Sequence, residues 1–292
     1  MTEGLAVKVD RKVAALKTTP LRDLERQVTA KRLAWFDAHG PGAGEGARPT
    51  PRRAYELLFR DYMDLPLAEV PVVSESDTEI VWLSRNPCPT LEACRRLGRD
   101  TRRVCRGVYE KSTQVLVSRL DPELRFMRDY REIRPHAPHC RERILRLDFG
   151  RLMDLALDEA GRSKEEGNKG YGAVVALGER VLAHAHDTAA TAGDPSRHAE
   201  VNALRQAVQT LGDPDLCGAV LIATCEPCPM CAGLAVWANV TTIVYGASIE
   251  ETAALGRTRI RLGVRELVER SPALVEVIGG VRRDRCLALY AG

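Results

Sequence analysis

In the second half of the chain, apolar positions alternate between helical and strand periods. Leu152, Leu155 and Ala156 share one face of a helix predicted over 149–160. Residues 171–177 and 181–185 are short β-branched and alanine-rich runs joined at Gly178-Glu179-Arg180, the pattern of a hairpin. Asp194-Pro195 predicts a helix start in cap-then-proline order, with the helix continuing to about Leu211. Strands are expected over 219–224, 241–246 and 274–278, with helices over 227–238 and from Val281 onward. Strand–helix alternation after an opening hairpin predicts an α/β fold, a mixed sheet covered by helices on both faces.

The first half is less regular. Residues 1–40 read as weakly amphipathic helix around the anchor pair Trp35 and Phe36, and Gly/Pro-rich residues 40–51 read as a flexible connector. Helices are expected over 53–62, over 90–97 (capped by Thr90 and stopped by Gly98), from Asp100 or Thr101 past Val108, and around 142–147. A short strand is expected over 79–83. The expected organisation is a helical segment and linker (1–52), an α-rich or α+β domain (53–148) and an α/β domain (149–292).

Composition narrows the class. Of 292 residues, 45% are hydrophobic and 28% charged, enough for a packed core and unlike a disordered chain. The net charge of +3 does not mark a nucleic-acid binder. Its distribution is uneven: 28 basic and 22 acidic residues up to Asp148, then 15 and 18, place any attraction for polyanions in the first half. No apolar run reaches the roughly 18 residues of a membrane span, and the N-terminus lacks a signal peptide's apolar stretch, so a cytoplasmic protein is expected. Nine cysteines then read as thiols or metal ligands rather than disulfides.

Two short motifs carry chemistry: His198-Ala199-Glu200 and, 30 residues after the histidine, Cys228-Pro229-Met230-Cys231. Two cysteines three apart reach one ion, and zinc takes sulfur and nitrogen ligands in a tetrahedron. Each ligand falls in the first turn of a predicted helix, where unpaired backbone N–H groups and the dipole favour thiolate. His198, Cys228 and Cys231 make three ligands and leave a fourth position for water, the mark of a catalytic site. Glu200, two residues from a ligand, suits proton transfer better than ligation. The H-x-E and P-C-x-x-C pair is the pattern of zinc nucleobase deaminases.

On these residues, about 149–290 resembles the cytidine and deoxycytidylate deaminase superfamily. The runs 194–201 and 225–233 are similar to those of guanine deaminases, fungal-type cytosine deaminases and bacterial tRNA adenosine deaminases. The resemblance implies a three-layer α/β/α sandwich with a mixed five-stranded sheet, a catalytic Zn2+ and hydrolytic loss of ammonia from a small heterocyclic amine. It also implies a homodimer or larger assembly. Those relatives carry an asparagine 11 residues before the zinc histidine, against the substrate base. Here that residue is Asp187, which only accepts hydrogen bonds when ionised, so a ring edge rich in N–H groups is expected. Ala199 and Trp237 are further substrate-side expectations, although Trp237 is equally suited to core packing or a dimer contact.

The alternatives are a tRNA adenosine deaminase and a non-catalytic binding module whose function lies in the first domain. For the former, Arg95, Arg96, Arg99, Arg102, Arg103 and Arg106 offer a basic run, although a solvated face paired with Glu92 and Asp100 is the commoner outcome. Cys88, Cys94, Cys105 and Cys140, with His136 and His139, raise a second metal site. Cys94 and Cys105 read better as core thiols. His184 and His186 are expected to face solvent or sheet neighbours rather than metal.

Overall fold

The computed structural model describes residues 4–41, 48–258, 260–271 and 273–291, so most of the Gly/Pro connector lies outside the described residues. The chain forms two compact units, Met1–Leu147 and Asp148–Gly292.

In the first unit, α1 (Leu5–Thr18) and α2 (Leu21–His39) are separated at Pro20, which cannot donate a helix hydrogen bond. They are part of this unit: Leu16 and Leu24 pack with Ala93, Cys94, Val104 and Val108. Thr50 Oγ1 caps α3 (Pro51–Glu56), which runs into a π turn at Leu57–Tyr62. Next come β1 (Val72–Glu75), β2 (Glu79–Ser84) and α4 (Pro89–Leu97). The cap of α4 is Cys88, whose sulfur accepts from Leu91 N (3.4 Å), not Thr90; Gly98 ends it at φ +61°. α5 (Thr101–Val104) continues through a π turn (Cys105–Glu110) into α6 (Lys111–Ser118).

The strands β3 (Leu124–Arg128) and β4 (Cys140–Arg146) complete an antiparallel sheet of order β1-β2-β4-β3. Residues 142–147, expected as helix, are therefore mostly strand. The charges disguise its alternation: Glu142 and Ile144 are buried while Arg141 and Arg143 are half-exposed. Glu142 is tolerated inside because Ser84 Oγ (2.6 Å), Trp82 Nε1 (3.1 Å) and Arg128 Nε (2.8 Å) all donate to it. Breaking one side of such a buried pair costs about 3–5 kcal/mol. Trp82 also packs with Tyr55, Phe59 and Phe126 in the aromatic centre of the unit.

The second unit opens with α7 (Phe149–Glu165), capped by Asp148 Oδ1 accepting from Arg151 N at 2.8 Å. The hairpin β5 (Gly172–Leu177) and β6 (Arg180–His186) turns at Gly178, which has φ +58°. Then follow α8 (Ala189–Ala192), α9 (Ala199–Leu211), β7 (Val220–Cys225), α10 (Pro229–Trp237) and β8 (Thr242–Ala247). The unit ends with α11 (Ile249–Ala254), α12 (Val264–Arg270), β9 (Glu276–Ile278) and α13 (Arg283–Ala288). The sheet order is β6-β5-β7-β8-β9, antiparallel across the hairpin and between β5 and β7, parallel thereafter.

Side chains alternate between two helical layers, giving the expected α/β/α sandwich. Ala173, Val175, Leu221 and Ile243 share a core with Ala203, Leu204 and Ala207 of α9 and Ala232 and Ala235 of α10. The other face packs against α7 and α13. There α7 comes so close that a Cβ at Gly172 would lie 1.9 Å from Ala156 O. Two expectations need adjustment. The helix expected from Asp194 starts at Ala199, because Asp194 Oδ1 accepts from Ser196 N (2.9 Å) and Oγ (2.7 Å), a turn that spends the aspartate locally. The helices α11 and α12 were not visible in the periodicity, since each is only two turns or less.

Candidate metal centre and active site

The sheet brings the starts of α9 and α10 together. His198 is the N-cap of α9, Cys228 the N-cap of α10, and Cys231 lies in the first turn of α10. His198 Nδ1 is 3.6 Å from Cys228 Sγ and 3.5 Å from Cys231 Sγ, and the two sulfurs are 3.6 Å apart. A tetrahedral zinc with bonds of about 2.3 Å to sulfur and 2.0–2.1 Å to nitrogen has ligand edges of roughly 3.6–3.8 Å, so this triangle fits the ion. Among the described residues it is the one grouping of three such side chains with all ligand atoms within 4.8 Å. Cys88, Cys105 and Cys140 do not form another.

Electrostatics match the donor set. Contact with Cys231 and then His198 draws the Cys228 thiol down to about 4, against burial. Cys231 moves the opposite way, raised by the same contact and by burial. The Cys228 contact, aided by the charges of Glu200 and Asp187, holds His198 above its ordinary range despite burial. Glu200, in the first turn of α9, is only 7% exposed, and burial raises its carboxyl above the usual carboxylate range.

The structure brings His198, Glu200, Cys228 and Cys231 together, with Asp187 near enough for its charge to act on His198. Asp187 is buried; its Oδ1 accepts from Ala189 N (3.3 Å), and its backbone is tied to Tyr171 O and Ser163 Oγ. Ala199 is buried at the first position of α9. Trp237 stands apart: it ends α10, six residues or about 9 Å along the axis from Cys231, and its side chain is 83% exposed rather than packed in the core.

Two residues with structural roles here escaped the sequence reading. Asn202 Nδ2 donates to His186 O (2.9 Å), Thr188 Oγ1 (3.2 Å) and Arg197 O (3.3 Å), fixing the loop that carries Asp187 against the helix that starts after His198. Glu226, just before the Cys motif, accepts from Ile249 N (2.9 Å) and Val264 N (2.8 Å), tying the starts of α11 and α12 to it. His184 Nδ1 and His186 Nδ1 meet Glu159 of α7 at 2.7 and 2.6 Å, so their partner is a helix carboxylate and not a sheet neighbour, and neither belongs to the metal triangle.

Residues 148–247 match the model of the cytidine and deoxycytidylate deaminase zinc-binding region. A tRNA-specific adenosine deaminase of Bacillus subtilis is 36% identical over 134 residues, 46% of this chain and 81% of that protein. A guanine deaminase of the same organism is 37% identical over 86 residues, 30% of this chain and 55% of its own. A tRNA(Ile)-lysidine synthase of Deinococcus deserti is 41% identical over 137 residues, 45% of this chain but only 25% of that enzyme's length. A solved structure from work on A-to-I editing by tRNA:A34 deaminases aligns at TM-score 0.42 and 28% identity, over 48% of this chain and 98% of that one.

Proposed function

The chain belongs to the cytidine and deoxycytidylate deaminase family, and from that premise we propose that it is a zinc-dependent aminohydrolase of a small nucleobase, nucleoside or related amino-heterocycle. The observation that carries this reading is the His198–Cys228–Cys231 triangle beside the buried carboxyl of Glu200. A zinc ion held by those three residues supplies Lewis acidity that makes water nucleophilic near neutral pH.

The remaining work falls to the chain. Glu200, with its raised proton affinity, takes the proton of the attacking water and delivers it to the ring nitrogen. It then carries the second proton to the departing amine. Burial serves this cycle because a carboxyl held nearer neutrality can both accept and return a proton. Asp187 receives N–H groups of the substrate ring, and the buried backbone at Ala199 bounds the pocket beside the ligand histidine. The test is ammonia release by zinc-loaded protein from guanine, cytosine, adenine, aminotriazines and their nucleosides. Release from one of these, abolished by Glu200→Ala, is the expected result. Full activity in Glu200→Ala would refute the mechanism.

A second reading, deamination of adenosine in tRNA, is favoured by the relative of which this chain covers 81%. Inosine formed in tRNA, with RNA retention that weakens with salt, would select it over the small-molecule reading.

A further inference from the structure

The first unit contains a cavity of about 560 Å³, within the range of roughly 300–1,000 Å³ typical of small-molecule sites. All of its lining residues lie between Leu5 and Glu142, so it shares none with the metal triangle. Phe59, Tyr62, Tyr109 and Phe126 give it a largely apolar, aromatic wall.

Set into that wall are six basic side chains, Lys8, Lys12, Lys31, Arg32, Arg128 and Arg134, against two acidic ones, Glu69 and Glu142. Glu142 is already engaged by Arg128, Ser84 and Trp82. The three guanidinium groups are held in place by part of their donor set. Arg32 Nη1 donates to Ser112 Oγ (3.0 Å), Arg128 Nε to Glu142 (2.8 Å) and Arg134 Nη1 to Asn86 O (2.8 Å). Each keeps one buried nitrogen without a partner: Arg32 Nε, Arg128 Nη1 and Arg134 Nε. Glu69 Oε2 is buried and unpartnered as well. Buried donors are nearly always satisfied, so an unpaired guanidinium nitrogen on each of three side chains that line one cavity favours an anionic occupant beside them. Burial, and to a smaller degree the charge of Arg128, weakens the hold of Arg32 on its proton, a cost that a bound anion would relieve.

We propose that this cavity binds a small organic anion, its carboxylate or phosphate held by Arg32, Arg128 and Arg134. A flat apolar body lies against Phe59 and Tyr62, and an amino group faces Glu69. Cys105, which also lines the cavity, fits a packing role instead of chemistry: burial pushes its thiol up to about 12.

The test is calorimetric titration of the full chain with 4-aminobenzoate, AMP and inorganic phosphate, and with the neutral counterparts 4-aminobenzamide and adenosine. At least one organic anion is expected to bind with a Kd below about 100 µM. Its neutral counterpart should bind at least about tenfold more weakly, as loss of a charge-assisted contact requires. Comparing the carboxylate and phosphate arms identifies the anionic group. Arg32→Gln and Arg134→Gln should each weaken binding at least about tenfold without altering zinc content. Should Arg32→Gln lower the melting temperature of the ligand-free protein, Arg134→Gln decides. Equal binding of the neutral counterparts, binding of inorganic phosphate alone, unchanged affinity in Arg134→Gln, or no binding at about 1 mM would each overturn the proposal.

Discussion

The contact between Cys228 and Cys231 pulls their proton affinities apart, lowering that of Cys228 and, with burial, raising that of Cys231. Zinc needs both as thiolates, so loading must expel at least one proton. Between pH 5 and 7, zinc uptake is therefore expected to release one or more protons per ion, and affinity should rise with pH. Titrations in buffers of different ionisation heat would check this; uptake without proton release would contradict it. Cys231→Ala should lose bound zinc by elemental analysis. Glu200→Gln should keep the metal yet lower turnover about 10²–10⁴-fold, the usual worth of a positioned proton-transfer group. The grouping of His198, Glu200, Cys228 and Cys231 was legible because their spacing along the chain matches a metal-ligand pattern. Asn202 and Glu226 were not, because their partners, mostly backbone groups, are brought close only by folding.

Apart from the short α8, α11 and α12, the elements of the second unit follow the apolar periods, and its hairpin lies where Gly178 permits the turn. The sequence was misleading where side-chain chemistry competed with periodicity: at Asp194, which closes a turn, and at β4, whose buried Glu142 looked like a solvated helical charge. Layer spacing is testable at Gly172. Replacement by alanine forces Cβ into Ala156 O, and unfolding in urea should show a loss of about 1–3 kcal/mol or more, the usual cost of overpacking. The tie between α7 and β6 gives a pH signature. Burial opposes protonation of His186, but hydrogen bonds to Glu159 and Glu166 prevail and raise its pKa; its stabilisation is complete below about 6.5 and fades as pH rises through the folded value. Glu159 is disfavoured by burial but held lower by both histidines, so its contribution is lost as pH falls through its depressed value. Melting temperatures of His186→Ala should accordingly show less decline on the alkaline side than those of the parent protein.

At the scale of the molecule, the chain divides into two compact units, and the family match falls within the second. A fragment beginning at Asp148 is expected to fold and retain zinc, measured by circular dichroism and elemental analysis; a fragment that stays unfolded would show that the second core is incomplete alone. The arginine run is largely paired on its surface: Arg96 with Asp10, Arg95 with Glu92 and Arg102 with Asp100, while Arg106 lies over the Tyr130 ring. No described helix is long and apolar enough to cross a membrane.

The three tryptophans divide usefully between the units. Trp82 is sealed among aromatic rings in the first, whereas Trp237 is the sole indole of the second and is almost bare. Intrinsic fluorescence should therefore contain a shielded emission that shifts red when the first unit melts and an exposed one that acrylamide quenches in the native protein. Quenching that diminishes as protein concentration rises would reveal a copy or partner settling over Trp237, with no label attached.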